Sequence, residues 1–330
     1  MRRSGSKIIR LGAFLGLVFA LLLLNLSTGS TATAAGFPEK EITLICPWPA
    51  GGSSDLITRS IAAAMAKHVP KPTIVVNRDG ANGVIATTET RTAKPDGYTI
   101  IQGTTGLFTI QPLTQKNLGY KMEDFDFLLG LTNEPILLVV HVDSPYKTVE
   151  DLIQGAKKEN QIIRFSNSGL IGLPSMAGSY FFQKAGVKSQ PIPFKGGAPA
   201  LTAMLGKHVD AHVNHPGDCM PHIKSGTLRP LVISAPQRFY SLPDVPTMKE
   251  KGYDIDIGVR KFIFAPKGIP ADVQKVLLAG LQKAGEEASF KKAMSDAYLM
   301  LEPMTGQQVR QHLLDTLPVI KKLMDEIPKK

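Results

Sequence analysis

An α/β fold built largely on parallel strands is predicted by three features of this chain. Strand, glycine-containing turn and helix recur in that order from residue 42 onward, and Ile136 to Val142 is apolar without polar alternation. No internal repeat or low-complexity linker interrupts the series. Alternating strands and helices set parallel strands side by side with helices on their faces. A run that is apolar at nearly every position fits a strand covered on both sides. Ligands of such sheets lie beyond the carboxyl ends of the strands, so the turns that follow the strands are the places to look for a site.

The first unit is Ile42-Thr43-Leu44-Ile45-Cys46, then the turn Pro47-Trp48-Pro49-Ala50-Gly51-Gly52-Ser53-Ser54-Asp55, then Ile57, Ile61, Ala64, Met65 and His68 at helical spacing. The unit returns as Thr73 to Val76, a glycine-bearing turn at 77–83 and a helical stretch to about Ala93. Asp96-Gly97 turns into the strand Tyr98 to Ile101, which ends at Gly103-Thr104-Thr105-Gly106. A second series opens with the strand at 136–142. Thr148 caps a helix through Leu152, Ile153 and Ala156, and Ile162 to Phe165 feeds the small-residue turn Ser166-Asn167-Ser168-Gly169. A helix from about Pro199 to Leu205 and strands at 209–213 and 231–234 follow. Two helices are expected after Pro270, the last opening with capping-box spacing at Thr305 to Gln308.

A basic start (Arg2, Arg3, Lys7, Arg10), an apolar run from Leu11 to about Leu26 and small residues through Ala34-Ala35-Gly36 read as an export signal cleaved near Ala34 or Ala35. Removing residues 1–35 lowers the formal net charge of the 330-residue chain from +10 to +6. With few interleaved aromatics, this modest surplus gives no nucleic-acid platform but suits an anionic ligand. Cys46 and Cys219 are the two cysteines of the chain, so no disulfide framework exists; both are expected as buried small hydrophobes, and one bridge between them stays open.

A glycine-rich turn that opens a helix aims backbone N–H groups and the positive end of the helix dipole at whatever lies before it. The 50–55 turn lacks the GKS or GKT ending of a P-loop, and neither glycine turn is a full GxGxxG, so nucleotide binding is not supported. Ser144-Pro145-Tyr146-Lys147 matches S-x-x-K, and Lys195-Gly196-Gly197 is a faint K-T-G, but Pro145 and the Thr148 cap put the Ser–Lys pair in a loop. The segment 207–222 gathers His208, His212, His215 and His222 with Asp210, Asp218 and Cys219, ligand types that zinc favours, yet in no recognised ligand spacing. No metal, cofactor or catalytic residue is therefore expected, with His212 or Asn214 reaching the crevice instead.

These motifs, taken in order, resemble the substrate-binding proteins of tripartite tricarboxylate transporters, the TctC or Bug receptors. The resemblance rests on Phe37-Pro38 and 47–55 with Arg59; Asn77-Arg78 with Gly80 and Gly83; Pro95 to Thr99; Tyr120 with Asp124-Phe125; Pro193 to Gly196; and Leu242 to Thr247 with Glu250 and Gly252. It implies a two-lobed periplasmic clamshell, with a mostly parallel sheet in each lobe, that captures small carboxylates without catalysis and hands them to membrane transporter subunits. Lobe 1 is expected at 37–131 plus about 236–330, and lobe 2 at 132–235. Ligand contacts are expected from Ala50, Gly51, Gly52, Ser53, Ser54, Thr104 and Thr105 in the first lobe, and from Ser166, Ser168, Gly169, Gly172 and His212 in the second. Asp55 is expected to brace its helix, since it would repel an anion.

Two departures stand out. The second-lobe turn reads Gly169-Leu170-Ile171-Gly172-Leu173-Pro174-Ser175 where family members show Gly-x-Gly-Ser and a histidine. Arg260 occupies a position where family members usually have tryptophan; there it either clamps a second carboxylate, favouring di- or tricarboxylates, or stands solvated at the rim. The alternatives are a periplasmic enzyme, metal-dependent or a serine hydrolase, and a ligand sensor for a membrane regulator. A monomer is expected.

Overall fold

The computed structural model describes residues 36–169 and 171–327; the export segment read at 1–35 lies outside the described residues. In chain order the elements are β1 (Ile42–Cys46), α1 (Ser53–Met65), β2 (Thr73–Asn77), α2 (Val84–Arg91), β3 (Thr99–Thr104), α3 (Thr105–Thr109), α4 (Gln111–Thr114), β4 (Phe125–His141), α5 (Val149–Lys158), β5 (Ile163–Asn167), α6 (Leu173–Lys184), β6 (Ser189–Pro193), α7 (Gly197–Leu205), β7 (Ala211–Asn214), α8 (Pro216–Lys224), β8 (Leu228–Ser234), β9 (Gly258–Pro266), α9 (Ala271–Glu286), α10 (Ala288–Asp296), β10 (Leu301–Thr305) and α11 (Gly306–Glu326).

The strands form one sheet in the order β2-β1-β3-β9-β4-β7-β5-β6, with β8 and β10 also paired to β4. Parallel pairing holds for β1 with β2 and β3, and for β5 with β6 and β7, as the strand–helix alternation predicts. The centre is different. β4 is 17 residues long, and all four of its partners run antiparallel to it. Its first part, to Pro135, pairs with β9 and β10, and from Ile136 it pairs with β7 and β8. One strand thus passes from a first half (β1, β2, β3, β9, β10) into a second (β5 to β8), giving a two-lobed α/β clamshell. Within that run Ile136 to Val140 are buried, with side chains in the cores on both faces of the sheet, but the neighbouring strands are antiparallel.

The first half is cored by aromatics. Phe108 lies 5.2 to 6.0 Å, centroid to centroid, from Tyr120, Phe125, Phe127, Phe262 and Phe264, mostly edge-on, the geometry that ring quadrupoles favour. Gly103 on β3 makes room for them, since a Cβ there would stand 2.6 Å from Phe264 and 2.7 Å from Phe262. The second half packs Phe165, Phe181 and Phe182 with Ile136, Leu138 and Val140 on one face of the sheet, and Leu137 and Val139 with Cys219 and Met220 on the other. Both cysteines are free and buried. Thr148 and Thr305 cap α5 and α11 with full capping boxes. Three helices follow Pro270 rather than two, because Glu287 takes an extended ψ of 132° and breaks α9 from α10. α11 touches both halves: Val309 and Leu313 join the aromatic core, while Ile320 and Leu323 join that of the second half. Among the described residues no helix is long and apolar enough to cross a membrane.

Candidate functional site

Where the two halves face each other, beyond the carboxyl ends of β1, β3, β5 and β7, lies a cavity of about 90 Å³ that opens into an outer cleft of about 470 Å³. Four helices begin at its wall: α1 with Gly52, Ser53 and Ser54; α6 with Gly172, Leu173 and Pro174; α7 with Gly196, Gly197 and Ala198; and α8 with His215 and Asp218. In none of the four does the N-cap residue, Gly52, Gly172, Gly196 or His215, bond the first-turn N–H groups with its own side chain, although the Asp218 carboxylate reaches the Ser53 N–H of α1. The first turn of a helix leaves up to four N–H groups without an intrahelical partner, and it carries the positive end of the macrodipole. Converging on one small space, these termini make it a seat for negative charge.

The α1 terminus is held rigidly from behind. Asp55 is 6% exposed and accepts from the Gly51 N–H (3.1 Å), Arg59 Nε (3.1 Å) and Asn77 Nδ2 (2.8 Å). Burial alone would raise its pKa, but the hydrogen bonds from Arg59, Asn77 and Gly51 outweigh it and hold the carboxyl below its ordinary value. Asp55 therefore braces the loop. Gly51, at φ +92°, supplies the left-handed turn that other residues resist, and its own N–H is spent on Asp55; it is not on the cavity wall.

Behind Ser53 sits a buried ion pair that the sequence did not announce. Lys261 and Glu134 are 2% and 1% exposed; Lys261 Nζ stands 2.8 Å from Glu134 Oε1 and donates to Ser53 Oγ at 2.6 Å. Burial pushes Glu134 up, yet Lys261 and His215 together bring it below the ordinary carboxylate range. Because Ser53 Oγ accepts from Lys261, its own proton is free to point elsewhere, and the hydroxyl becomes a donor to the cavity. Lys261 reaches this position by strand alternation: on β9 it faces the cavity, while its neighbour Arg260 faces away. Arg260 pairs with Glu302 (2.6 Å) and Met304 Sδ (3.4 Å) beside β10 and is not on the cavity wall.

Of the expected contacts, Ala50, Gly52, Ser53, Ser54, Thr104, Ser168, Gly169 and Gly172 line the cavity. Thr105 does not; it is fully buried, and its Oγ1 accepts from the Arg260 backbone N–H at 3.0 Å, tying β9 to the end of β3. Ser166 and His212 lie beneath the floor, Ser166 Oγ 2.8 Å from His212 Nδ1, both with no exposed surface. Burial pushes His212 down to about 3, so it stays neutral. Ser166 lies one residue before the end of β5 and His212 two before the end of β7, and the residues two further on, Ser168 and Asn214, are the ones on the wall.

Across the cleft, the Ile171 carbonyl meets two side chains of the first half. That oxygen accepts from Gln111 Nε2 at 2.9 Å and from Asn82 Nδ2, both in the first half. Asn82 holds a left-handed backbone, φ 58° and ψ 37°, which asparagine tolerates better than most residues. These two hydrogen bonds join the halves over the cavity.

At the α7 and α8 end, Asn214 Nδ2 donates to Asp218 Oδ2 at 3.0 Å. A Cβ on Gly197 would stand 2.4 Å from that same oxygen. Asp218 has its pKa raised by burial, partly countered by His215, Lys261 and the Ser53 N–H. His215 is held low by burial, although Glu134 favours its charge; its Nδ1 lies 3.4 Å from the Pro135 carbonyl.

Among the described residues no three His, Cys, Asp or Glu side chains converge as metal ligands. Lys147 Nζ donates to the Ser144 carbonyl at 3.2 Å, and the Ser144 hydroxyl accepts from the Tyr146 N–H at 3.3 Å, so these contacts close the turn before α5.

Comparison with known proteins agrees with this geometry. Residues 57–328 match the family model described as tripartite tricarboxylate transporter family receptor, TctC. A UPF0065 protein of Cupriavidus necator, from the gbd 5′ region, is 30% identical over 90% of this chain and 90% of its own length. BugT of Bordetella pertussis is 29% identical, covering 85% of this chain and 86% of its own. Among solved structures, the periplasmic binding protein BugD aligns with a TM-score of 0.83 at 28% identity, covering 89% of this chain and all of the BugD chain. MatC from Rhodopseudomonas palustris, solved with bound malate, aligns at 0.80 and 25% identity over 87% of this chain and 99% of its own. R. palustris Rpa4515, solved with adipate, aligns at 0.82 and 25% over 88% and 97%. With the ordered motifs, the clamshell and the family match in agreement, the chain belongs to the tripartite tricarboxylate transporter receptor family of periplasmic solute-binding proteins.

Proposed function

We propose that this protein captures a small organic carboxylate between its two lobes and delivers it to a tripartite tricarboxylate-type membrane transporter, without chemical conversion. The observation that carries this reading is the convergence of four helix N-termini, none capped by its own N-cap side chain, on one small cavity. Backbone N–H groups and the hydroxyls of Ser53, Ser54 and Thr104 hold a carboxylate without a buried counter-charge. A hydrogen bond to a charged group is worth about 1.5–3 kcal/mol. Several of them exceed the roughly 8 kcal/mol of micromolar affinity and leave a margin for association costs. Relatives of the same fold that hold adipate and malate support a carboxylate class.

In this reading lobe 1 comprises 37–131 with about 236–330, and lobe 2 comprises 132–235. The Ile171 carbonyl, bridged by Asn82 and Gln111, is one of the contacts that closure forms. The chain works as a periplasmic monomer after cleavage near Ala34 or Ala35. A melting-temperature screen of organic acids, paired with mass spectrometry of what co-purifies, tests the proposal. Stabilisation by one or a few carboxylates, each recovered unchanged, is expected. Indifference to every acid, or turnover of the one bound, would overturn it.

A further inference from the structure

The cavity wall carries acceptors as well as donors, and a carboxylate alone leaves them unused. Asn214 has no exposed surface, and its Oδ1 has no partner, although its Nδ2 is committed to Asp218. That orientation of the amide is fixed by chemistry, since Oδ1 turned toward the carboxylate would set acceptor against acceptor. A buried amide oxygen left unpaired costs free energy that a ligand donor would recover. Beside it, the half-buried Asp218 carboxylate lies within reach of the Ser53 N–H at the start of α1 and next to Gly197 at the start of α7. The absence of a side chain at Gly197 is what leaves room for the Asp218–Asn214 pair, because a Cβ would collide with Asp218 Oδ2.

The charges on the wall point the same way. Lys261 is matched to Glu134, and Lys195 is an exposed residue at the rim. Asp218 faces the same cavity and makes no ion pair among the described residues, the nearby Lys261 being matched to Glu134. A ligand that brings only a carboxylate sets like charges side by side. A ligand that also brings a donor close to that carboxylate satisfies Asp218 and Asn214 Oδ1 together. An ammonium does this better than a hydroxyl, because it adds charge to the hydrogen bond. Since Asp218 and the donors of α1 meet at Ser53, the two ligand groups must sit on the same or adjoining carbons.

We propose that the acid held in this cavity carries a hydrogen-bond donor beside its carboxylate, ammonium in preference to hydroxyl, and that Asp218 and Asn214 are the residues that read it. This rests on the carboxylate-capture reading above and narrows it. The test is calorimetry on the purified protein with three matched sets: propionate, lactate and alanine; succinate, malate and aspartate; and glutarate, 2-hydroxyglutarate and glutamate. In the set whose chain length fits, the amino acid is expected to bind at least tenfold tighter than the unsubstituted acid, with the hydroxy acid between them. Asp218→Asn is expected to bring the three within about threefold of one another, and Gly197→Ala, which drives a methyl into Asp218, to do the same. The ranking on the unaltered protein stands even where a variant fails to fold. Equal or tighter binding of the unsubstituted acid overturns the assignment and leaves carboxylate capture intact. Binding of none of the nine overturns it as well, and the wider acid screen then decides whether the capture reading falls with it.

Discussion

Replacing Lys261 by methionine removes a charge from a place where its partner cannot reach water. Glu134 is 1% exposed, and its carboxylate takes Lys261 as its main cationic partner, with Thr132 Oγ1 at 3.1 Å as a neutral one. Breaking a buried pair by deleting one member costs about 3–5 kcal/mol, since an uncompensated charge is left behind. At about 2 °C per kcal/mol for a chain of this size, the melting temperature falls by roughly 6–10 °C. The pH dependence carries a sign. In the native protein Glu134 titrates below its ordinary value, so the stability it contributes is present above the unfolded-state pKa and is lost as pH falls through the folded one. Without Lys261, burial raises it instead, and the penalty is largest at neutral pH and shrinks on acidification as Glu134 takes up a proton. Ser53 also loses the donor that orients its hydroxyl, so carboxylate affinity falls with stability. Thermal melts from neutral pH to about pH 4, on Lys261→Met and on Lys261→Met/Glu134→Leu, check this. The double variant should recover most of the loss. A pH-independent deficit, or a double variant worse than the single one, would refute the argument.

Three further outcomes are expected. Arg260→Ala should leave ligand affinity within about twofold, because its guanidinium is engaged with Glu302 beside β10; calorimetry against the parent decides it. Asp55→Asn should cost about 1–3 kcal/mol at neutral pH by denaturant unfolding, the value of losing charge-assisted hydrogen bonds. Because the native Asp55 pKa is lowered, that gap should close as pH falls through the carboxylate range below about pH 4. Asn82→Gly keeps the left-handed backbone free of strain while deleting the bridge to the Ile171 carbonyl. It should speed ligand release about two- to tenfold in stopped-flow measurements, with little change in melting temperature.

The parts of the molecule that were legible in the sequence are those fixed by local pattern. β1, the glycine loop and α1 follow one another with their signals intact, and the bracing role of Asp55 follows from electrostatics alone. The thread that fails to show is β4 before residue 136. Gly130, Asn133 and Pro135 interrupt its pattern, and register shifts near Leu129 and Thr132 break the alternation that identifies a strand. Without β4 and β9 as strands, the parity of Arg260 and Lys261 cannot be assigned from the sequence, and Arg260, which faces away, stands out there only by its departure from the family pattern. Glu134 and Lys261 are 127 residues apart, a separation at which no local pattern connects two charges. In the sequence Asp218 belongs to a cluster of metal-type residues, while Asn214 is expected at the crevice and does line the cavity. Only the convergence of α1, α7 and α8 gives them a shared place. The start of α7 did carry a usable signal: Gly196-Gly197-Ala198-Pro199 before an apolar helix is the same kind of small-residue terminus as Gly51-Gly52-Ser53-Ser54.

The central claim is that helix N-termini at the cleft hold the charge of a carboxylate. The most direct measurement is calorimetry of the best-binding acid against its primary amide, which has nearly the same shape and no charge. Each helix terminus favours an anion by about 0.3–1 kcal/mol, and by up to about 2 kcal/mol where it is partly buried, so several together predict an amide at least tenfold weaker than the acid. An amide that binds as tightly as the acid would contradict the account.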